Sequence, residues 1–552
     1  MTFYPTLEGR DFLNELSTPP GRPRNHITNP ESGRLPFSCT LVVHKDLPST
    51  MAFTARSLKA SAGVKTIYDK DFQLDKIQAT GNLLYGSRAM DGQTLITVQD
   101  SMETIAGEDG LGIIDSWAAV WWLISTGRTA VVDLSGLRPA GTIGSTGVEA
   151  SGPDSFKEIY EAMLDYALDT TVLKLLKVMG VLNEVILRGG FKRGIVTSMM
   201  DMRCPYFQDY LNAPIAQLGG SHKKGAIVTP ALLEDTELMG QVAEKVSSES
   251  MFLEKATDDG TYSNVCVGIK LADRATCLIW RNNLGRAMNR ADVIDGMVQA
   301  TKDVCALHVN WRNHPNAAAN KDIWKPLEED RQVAVDVLGL ANLLSRFGYK
   351  YQDFILDLEA FVKQPYLATG TEQLRSDHSL NVCEWIYAAY VASTVAADAY
   401  MDARNLPRLD RLFTVEPAQS HSFELTDANG FTTARGIWPP MFRLTNRISN
   451  TQEDVLVDYG AAETIADIGP EWIFRLNNAW QQMMDLTGRA HAISMDTYEA
   501  PTQGWLAKWM RSDLKTVYYN FSGKYDQAYA DKKVTEIDWD AEPEPECSVC
   551  AQ

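Results

Sequence analysis

The feature that most constrains how this chain folds is an alternation in its middle of amphipathic helix, glycine stop and short apolar strand. Ile113 to Ser125 (IIDSWAAVWWLIS) carries apolar residues at helical spacing and Gly127 ends it. Thr129 to Ser135 (TAVVDLS) then reads as a buried strand, leading to a glycine-rich loop from Gly141 to Gly152. Helix, glycine turn and buried strand in succession are the mark of α/β architecture. Phe37 to Val43 (FSCTLVV) predicts an earlier buried strand, and residues 1–34, rich in Pro, Asn and Gly, an irregular arm. The more polar, mixed segment from about 52 to 99 reads as an insertion. Val333 to Phe347 and Trp385 to Ala403 predict helices.

A chain of 552 residues with 45% apolar side chains has material for one large core or several ordinary ones. The net charge of -19 excludes nucleic acid as the main partner, because gripping a phosphate backbone requires a basic face. No apolar run approaches the roughly 20 residues that span a bilayer, and Met1 to Pro20 lacks the basic and apolar regions of a signal peptide. No membrane contact is expected, and the expected compartment is the cytoplasm, a host cytoplasm if the chain is viral.

Eight cysteines in such a chain do not read as a disulfide framework. The CxxC of Cys547 and Cys550 stands in KKVTEIDWDAEPEPECSVCAQ, an acidic, proline-containing end poor in core residues and expected to be disordered. A zinc site would need a second ligand pair at comparable spacing, which the histidines do not supply, so no metal is expected. What remains is a dithiol on a tether, with an incidental pair in a solvated tail as the bland alternative.

Cys266 lies in Ser263 to Leu271 (SNVCVGIKL), Asn264 precedes it by two residues, Cys277 follows, and Cys39 sits on the predicted first strand. From about Arg34 to the C terminus, this set and its surroundings resemble the catalytic subunit of ribonucleotide reductases. LPFSC (Leu35 to Cys39) resembles the strand of the first redox cysteine. Val131 to Pro153 (VVDLSGLRPAGTIGSTGVEASGP) is similar to the signature leading through the first specificity loop. Arg188 to Leu211 is similar to the second loop and its strand, with Cys204 where the family usually has His. SNVCVG resembles the finger loop that enters the barrel. Asp330 to Tyr351 resembles the helix after that loop, TVEPAQSHSF (Thr414 to Phe423) the diphosphate loop, and LKTVYY (Leu514 to Tyr519) the late strand with paired tyrosines.

The resemblance implies a ten-stranded α/β barrel, two five-stranded parallel halves packed antiparallel around the finger loop, spanning residues 35–525. The insertion at about 52–99 and specificity loops at about 141–153 and 188–200 fall within it, and a redox tail over 526–552 follows. It implies reduction of a ribonucleoside di- or triphosphate to the deoxynucleotide, with Cys266 as the thiyl radical that takes a hydrogen from the 3'-carbon. Cys39 and Cys277 would deliver two electrons and close into a disulfide, which Cys547 and Cys550 would reopen before being reduced in turn by thioredoxin or a glutaredoxin-like protein. Asn264 would hydrogen-bond the sugar or the reacting carbonyl. Ser38, Ser151, Gly152, Pro417, Ala418, Gln419, Ser420, His421 and Ser422 would line the substrate, the last group at its phosphates. Asp46 or Asp100, with Lys192 and Arg193, would meet a dNTP or ATP specificity effector, in the family's case at a homodimer contact. The bland reading of either aspartate is a helix N-cap.

The family carries Glu two residues after the thiyl cysteine, to handle the proton of the 3'-hydroxyl, whereas this chain has Gly268. Glu384, Glu416 or a water would have to stand in. Cys383, in NVCE, reads as a buried helix residue. No glycyl-radical motif and no room for an N-terminal regulatory cone are found, which resembles compact adenosylcobalamin-dependent enzymes of the kind phages encode. Tyr518 and Tyr519 keep open a radical relay from a separate metal-containing subunit; their bland reading is strand packing. A relative that binds nucleotides without catalysis, and a tail-dithiol oxidoreductase acting on proteins, are the rival readings.

Overall fold

The computed structural model describes residues 35, 37–60, 63–143, 150–188, 195–218, 222–249, 251–364, 382–417, 422, 425–448, 454–495 and 501–518. Two compact units divide them. One holds Leu35 and 39–228, and the other Phe37, Ser38 and the residues from Thr229 onward.

In the first unit the order is β1 (Cys39–Val43), α1 (Leu47–Ala60), β2 (Gly63–Tyr68), β3 (Asn82–Tyr85), β4 (Gln93–Thr97), α2 (Ile113–Ser125), β5 (Thr129–Asp133), α3 (Pro153–Leu168), α4 (Val172–Arg188), β6 (Ile195–Asp201), α5 (Phe207–Asn212) and β7 (Lys223–Val228). Strands β1, β2, β6 and β7 pair in that order, all parallel, with Cys39 opposite Gly63 and Gly63 opposite Ile195. Every residue of β2 and β6 is buried, as strands of a parallel sheet covered on both faces must be. Helix α2 lays Trp117, Val120 and Ile124 into the core, where each such side chain contributes roughly 1.5–3 kcal/mol.

The stretch 52–99 is therefore not wholly an insertion. Most of α1 and all of β2 come from it, and β2 lies between β1 and β6. Its alternation is hidden because both faces are buried. Only β3 and β4 leave this sheet, flanking β5 in parallel.

The second unit contains α6 (Thr236–Glu249), β8 (Phe252–Lys255), β9 (Tyr262–Ser263), β10 (Lys270–Leu271), β11 (Thr276–Cys277), β12 (Ile279–Asn283), α7 (Arg290–Asn310), β13 (Gln332–Leu338), α8 (Leu340–Arg346), α9 (Tyr351–Val362), α10 (Val382–Asp402), β14 (Arg411–Val415), β15 (Leu444–Ile448), β16 (Asp454–Asp458), α11 (Pro470–Asp485), β17 (Ala490–Ile493), α12 (Gln503–Met510) and β18 (Thr516–Val517). Parallel strands β12, β13, β14 and β17 form its sheet, with α7 packed on β12, β13 and α10. Helix α10 matches its expected span and buries Cys383.

Val333 to Phe347 is not one helix. Gln332–Leu338 is a strand with every residue buried, and the helix starts only at Leu340. The β-branched Val333, Val335 and Val337 favour an extended, enclosed backbone, and Gly339 breaks the run with a left-handed φ of 76°. A Cβ there would lie 2.8 Å from the Gly285 nitrogen, so glycine is needed for space as well as for backbone.

Candidate active site

A six-residue loop between β9 and β10, Asn264 to Ile269, carries the predicted radical cysteine. The two short strands pair antiparallel, Ser263 opposite Lys270. Their base is pinned by Glu254, 1% exposed, which accepts the Ser263 backbone N–H at 2.9 Å and its hydroxyl at 2.5 Å and pairs with buried Lys270. Inside the loop the Asn264 N–H reaches the Ile269 carbonyl at 2.7 Å and the Val267 N–H the Asn264 carbonyl at 3.0 Å, which closes a tight turn. Val267 holds a φ of 57°, a conformation in which a β-branched residue is strained.

The loop is fixed to the C-terminal ends of two parallel strands, the edge at which open α/β sheets bind ligands. Ser494, just after β17, donates its hydroxyl to the Cys266 carbonyl at 2.6 Å, and the Ala492 N–H meets the Gly268 carbonyl at 2.9 Å. Thr414 Oγ1, in β14, lies 3.0 Å from both the Gly268 and the Ala492 carbonyl oxygens.

Asn264 joins the two chemically significant neighbours. Its Nδ2 donates to Cys277 Sγ at 3.3 Å and to Glu416 Oε1 at 2.8 Å, while its Oδ1 accepts the Ile269 N–H at 3.1 Å and so fixes which way the amide points. Asn264, Cys266, Cys277 and Glu416 are each at most 2% exposed. Cys277 is a thiol, and Cys266 is engaged in a disulfide. Ser38 donates its backbone N–H to the Cys277 carbonyl at 3.1 Å. Cys39, 0% exposed and likewise a thiol, opens β1 in the first unit.

Glu416 follows β14 directly. Burial raises its carboxyl above the ordinary range, while Arg281, the Asn264 amide and the Gly268 N–H pull it back. Asp336, on the neighbouring strand β13, is fully buried. Burial carries it up to about 7, against Arg281, whose Nε lies 3.1 Å from Asp336 Oδ2. Asp336 also accepts the backbone N–H groups of Val337 and Glu416. Sequence reading missed Arg281, Asp336, Thr414 and Ser494 as site residues. A lone Asp within the apolar run of β13 was the available signal, because buried charge needs a reason.

The remaining candidates divide. Pro417 and Ser422 are buried beyond β14, and Ala418, Gln419, Ser420 and His421 lie outside the described residues, as do Lys192, Arg193, Tyr519, Cys547 and Cys550. Ser151 and Gly152 stand at the start of α3, Gly152 with a φ of 81°. Asp46 caps α1 by accepting the Ser49 N–H at 2.9 Å, and Asp100 pairs with Arg138 Nε at 2.5 Å. Tyr518 stacks on Phe252 with ring centroids 5.1 Å apart, the packing role of a strand aromatic. Cys204 is buried with its sulfur 4.0 Å from the Phe72 carbonyl. Glu384 lies in the first turn of α10.

No family model matches this chain, and no curated protein matches it in sequence. Among solved structures, a B12-dependent (class II) ribonucleotide reductase is similar over 89% of this chain and 83% of its own, at 12% identity and a TM-score of 0.56. At that identity the likeness is one of fold, and it extends over both units. Among the described residues no helix is long and apolar enough to cross a membrane.

Proposed function

We propose that this protein is an enzyme that reduces ribonucleotides to 2'-deoxyribonucleotides by thiyl-radical chemistry. The observation that carries the reading is the Asn264 amide, two residues before Cys266, which binds Cys277 Sγ and the Glu416 carboxylate at once in a fold similar to that of a ribonucleotide reductase. A rival from another class, a nucleotide-binding relative without catalysis, has no use for a buried amide–thiol–carboxylate set.

In this reading reduced Cys266, as a thiyl radical, takes the 3'-hydrogen of the ribose. The 2'-hydroxyl leaves as water, Cys39 and Cys277 supply two electrons and two protons as they close into a disulfide, and the 3'-hydrogen returns from Cys266. Atoms and electrons balance as ribonucleotide plus dithiol giving deoxynucleotide, water and disulfide. Cys547 and Cys550 would reopen the disulfide and pass the oxidising equivalents to thioredoxin or a glutaredoxin-like protein. Substrate phosphates would bind beyond β14 around Pro417 to Ser422, and Ser151 and Gly152 would lie against the substrate. The full barrel in this reading has ten strands, five in each half; the described residues of each unit contain a set of four parallel strands.

For effector binding, the Asp100–Arg138 pair falls beside the first specificity loop, while Asp46 is committed to capping, so Asp100 is the better partner for effector ribose, with Lys192 and Arg193 from the second loop. A homodimer and a cytoplasmic setting complete the reading.

Cobalamin is the first radical source to test, given the fold's similarity to a B12-dependent enzyme. Cys266 is 1% exposed, and a hollow of about 530 Å³ among the described residues is lined by Gln332, Arg411 and Ala490 at the opposite strand ends. Tyr518 keeps a second subunit in play.

The test is anaerobic reduction of GDP, CDP and their triphosphates by the purified chain with dithiothreitol, with and without adenosylcobalamin. Deoxynucleotide formed only with cobalamin supports both activity and radical source. Absence of product with cobalamin and with any candidate radical-generating subunit would refute the reading.

A further inference from the structure

Position 268 carries no side chain, yet the space beside it is not empty. A Cβ built on Gly268 would lie 2.4 Å from Glu416 Cγ and 2.8 Å from its Oε1. Those separations are far inside van der Waals contact, so the Glu416 side chain occupies the volume in which a side chain at 268 would begin. Gly268 has no left-handed φ, so glycine is required there for room and not for backbone freedom. The carboxylate reaches this place from the end of β14 instead of from the loop, and its attachments face the loop: the Asn264 amide at 2.8 Å and the Gly268 N–H.

Resting on the ribonucleotide reductase reading, we propose that Glu416 is the catalytic acid–base that takes and returns the proton of the substrate's 3'-hydroxyl, its carboxyl supplied from β14 into the space that Gly268 leaves, with Asp336 as its positioning residue. The proton balance is simple. As the 3'-hydrogen leaves to Cys266, the 3'-hydroxyl proton moves to the Glu416 carboxylate, and it returns when the sugar radical is quenched. The base must start ionised; burial opposes this, and Arg281, the Asn264 amide and the Gly268 N–H favour it. Asp336 acts through Glu416: it accepts the Glu416 backbone N–H and binds Arg281, the cation that both carboxyls share. Because one Asn264 nitrogen serves both Glu416 and Cys277, the charge on Glu416 is also felt at the sulfur that delivers electrons.

The test uses the full-length chain in the anaerobic assay, together with thermal melts that need no activity. Glu416→Gln keeps shape but cannot exchange the proton, and is expected to lower turnover about 100-fold. Returning the carboxyl to the loop, Gly268→Glu in a Glu416→Ala background, is expected to recover about tenfold over Glu416→Ala alone. Asp336→Asn is expected to displace the pH profile of turnover, and a uniform loss at all pH values would remove it from the proposal. In melts, Gly268→Ala is expected to lower the midpoint of the parent and to be tolerated with Glu416→Ala. Unchanged turnover in Glu416→Gln, or a double variant no better than Glu416→Ala, overturns the catalytic role. An equal melting loss for Gly268→Ala in both backgrounds overturns the shared space. A parent that makes no deoxynucleotide with cobalamin or with any candidate radical-generating subunit overturns the enzyme reading itself, and the melts still report on the Gly268–Glu416 relation.

Discussion

The hydroxyl of Ser494 donates to the carbonyl of Cys266 at 2.6 Å, from a residue whose own N–H is held by the Val415 carbonyl at 2.8 Å. A loop cysteine is thereby tied to two parallel strands through one side chain. Ser494→Ala leaves a buried carbonyl without this donor, at a cost of about 1–3 kcal/mol. A lowered melting temperature and a turnover reduced about tenfold are expected, since small displacements of a reacting group are costly. A variant with parental stability and rate would mean that the cysteine is positioned by other contacts.

Val267 reverses the usual ranking of substitutions. Its side chain is fully buried, so truncation loses about 1.5–3 kcal/mol of burial whichever small residue replaces it. Its φ of 57° strains any residue with a Cβ, by about 1–3 kcal/mol. Val267→Gly removes the strain along with the methyls, whereas Val267→Ala removes only the methyls. The glycine variant is expected to melt at or above the alanine variant, although glycine is ordinarily the more destabilising residue. The opposite order, by calorimetry, would show that the loop relaxes out of this conformation.

Lys270 and Glu254 form an ion pair with side chains 3% and 1% exposed, and Glu254 also holds the backbone and hydroxyl of Ser263. Removing one member strands the other charge. Lys270→Met is expected to destabilise by about 3–5 kcal/mol, read from the denaturation midpoint. Adding Glu254→Gln, which keeps an acceptor for Ser263 without the charge, is expected to recover part of that loss. No recovery would argue that the pair acts through packing.

What the sequence disclosed, and what it hid, follows from the range of each interaction. Helices Ile113–Ser125 and Val382–Asp402 were legible because their apolar spacing is local. Strand β13 was not, since a strand buried on both faces loses its alternation and Val-Ala-Val-Asp-Val-Leu then resembles a buried helix. Asn264, Cys266 and Cys277 stood out as candidates from their spacing within one segment, and the structure joins Asn264 to Cys277 through a hydrogen bond. The missing carboxylate at Gly268 was equally visible, but the proposed stand-in, Glu416, reaches it from a strand about 150 residues away, which no local pattern encodes. Asp336 and Arg281 were overlooked because each acts across strands.

Asp336 gives the clearest dependence of stability on pH. Burial lifts its folded value from 3.8 to about 7, while the unfolded chain keeps the ordinary value. Between those limits the folded state holds a proton that the unfolded state has lost, so this group's contribution is fully present below 3.8 and is lost as pH rises through about 7. The slope is at most about 1.4 kcal/mol per pH unit for one proton. Asp336→Asn cannot titrate. The melting difference between parent and variant should therefore move against the parent from pH 4 to 7 and level off above that. The Glu416 carboxyl, sharing Arg281, adds to the same trend in the parent, because its folded value is also raised. A difference that is flat over this range would mean that Arg281 keeps Asp336 ionised throughout. The anionic pair Asp336 and Glu416 would then be balanced by a single guanidinium, and Arg281→Lys would be expected to destabilise by a similar amount at pH 4 and at pH 7.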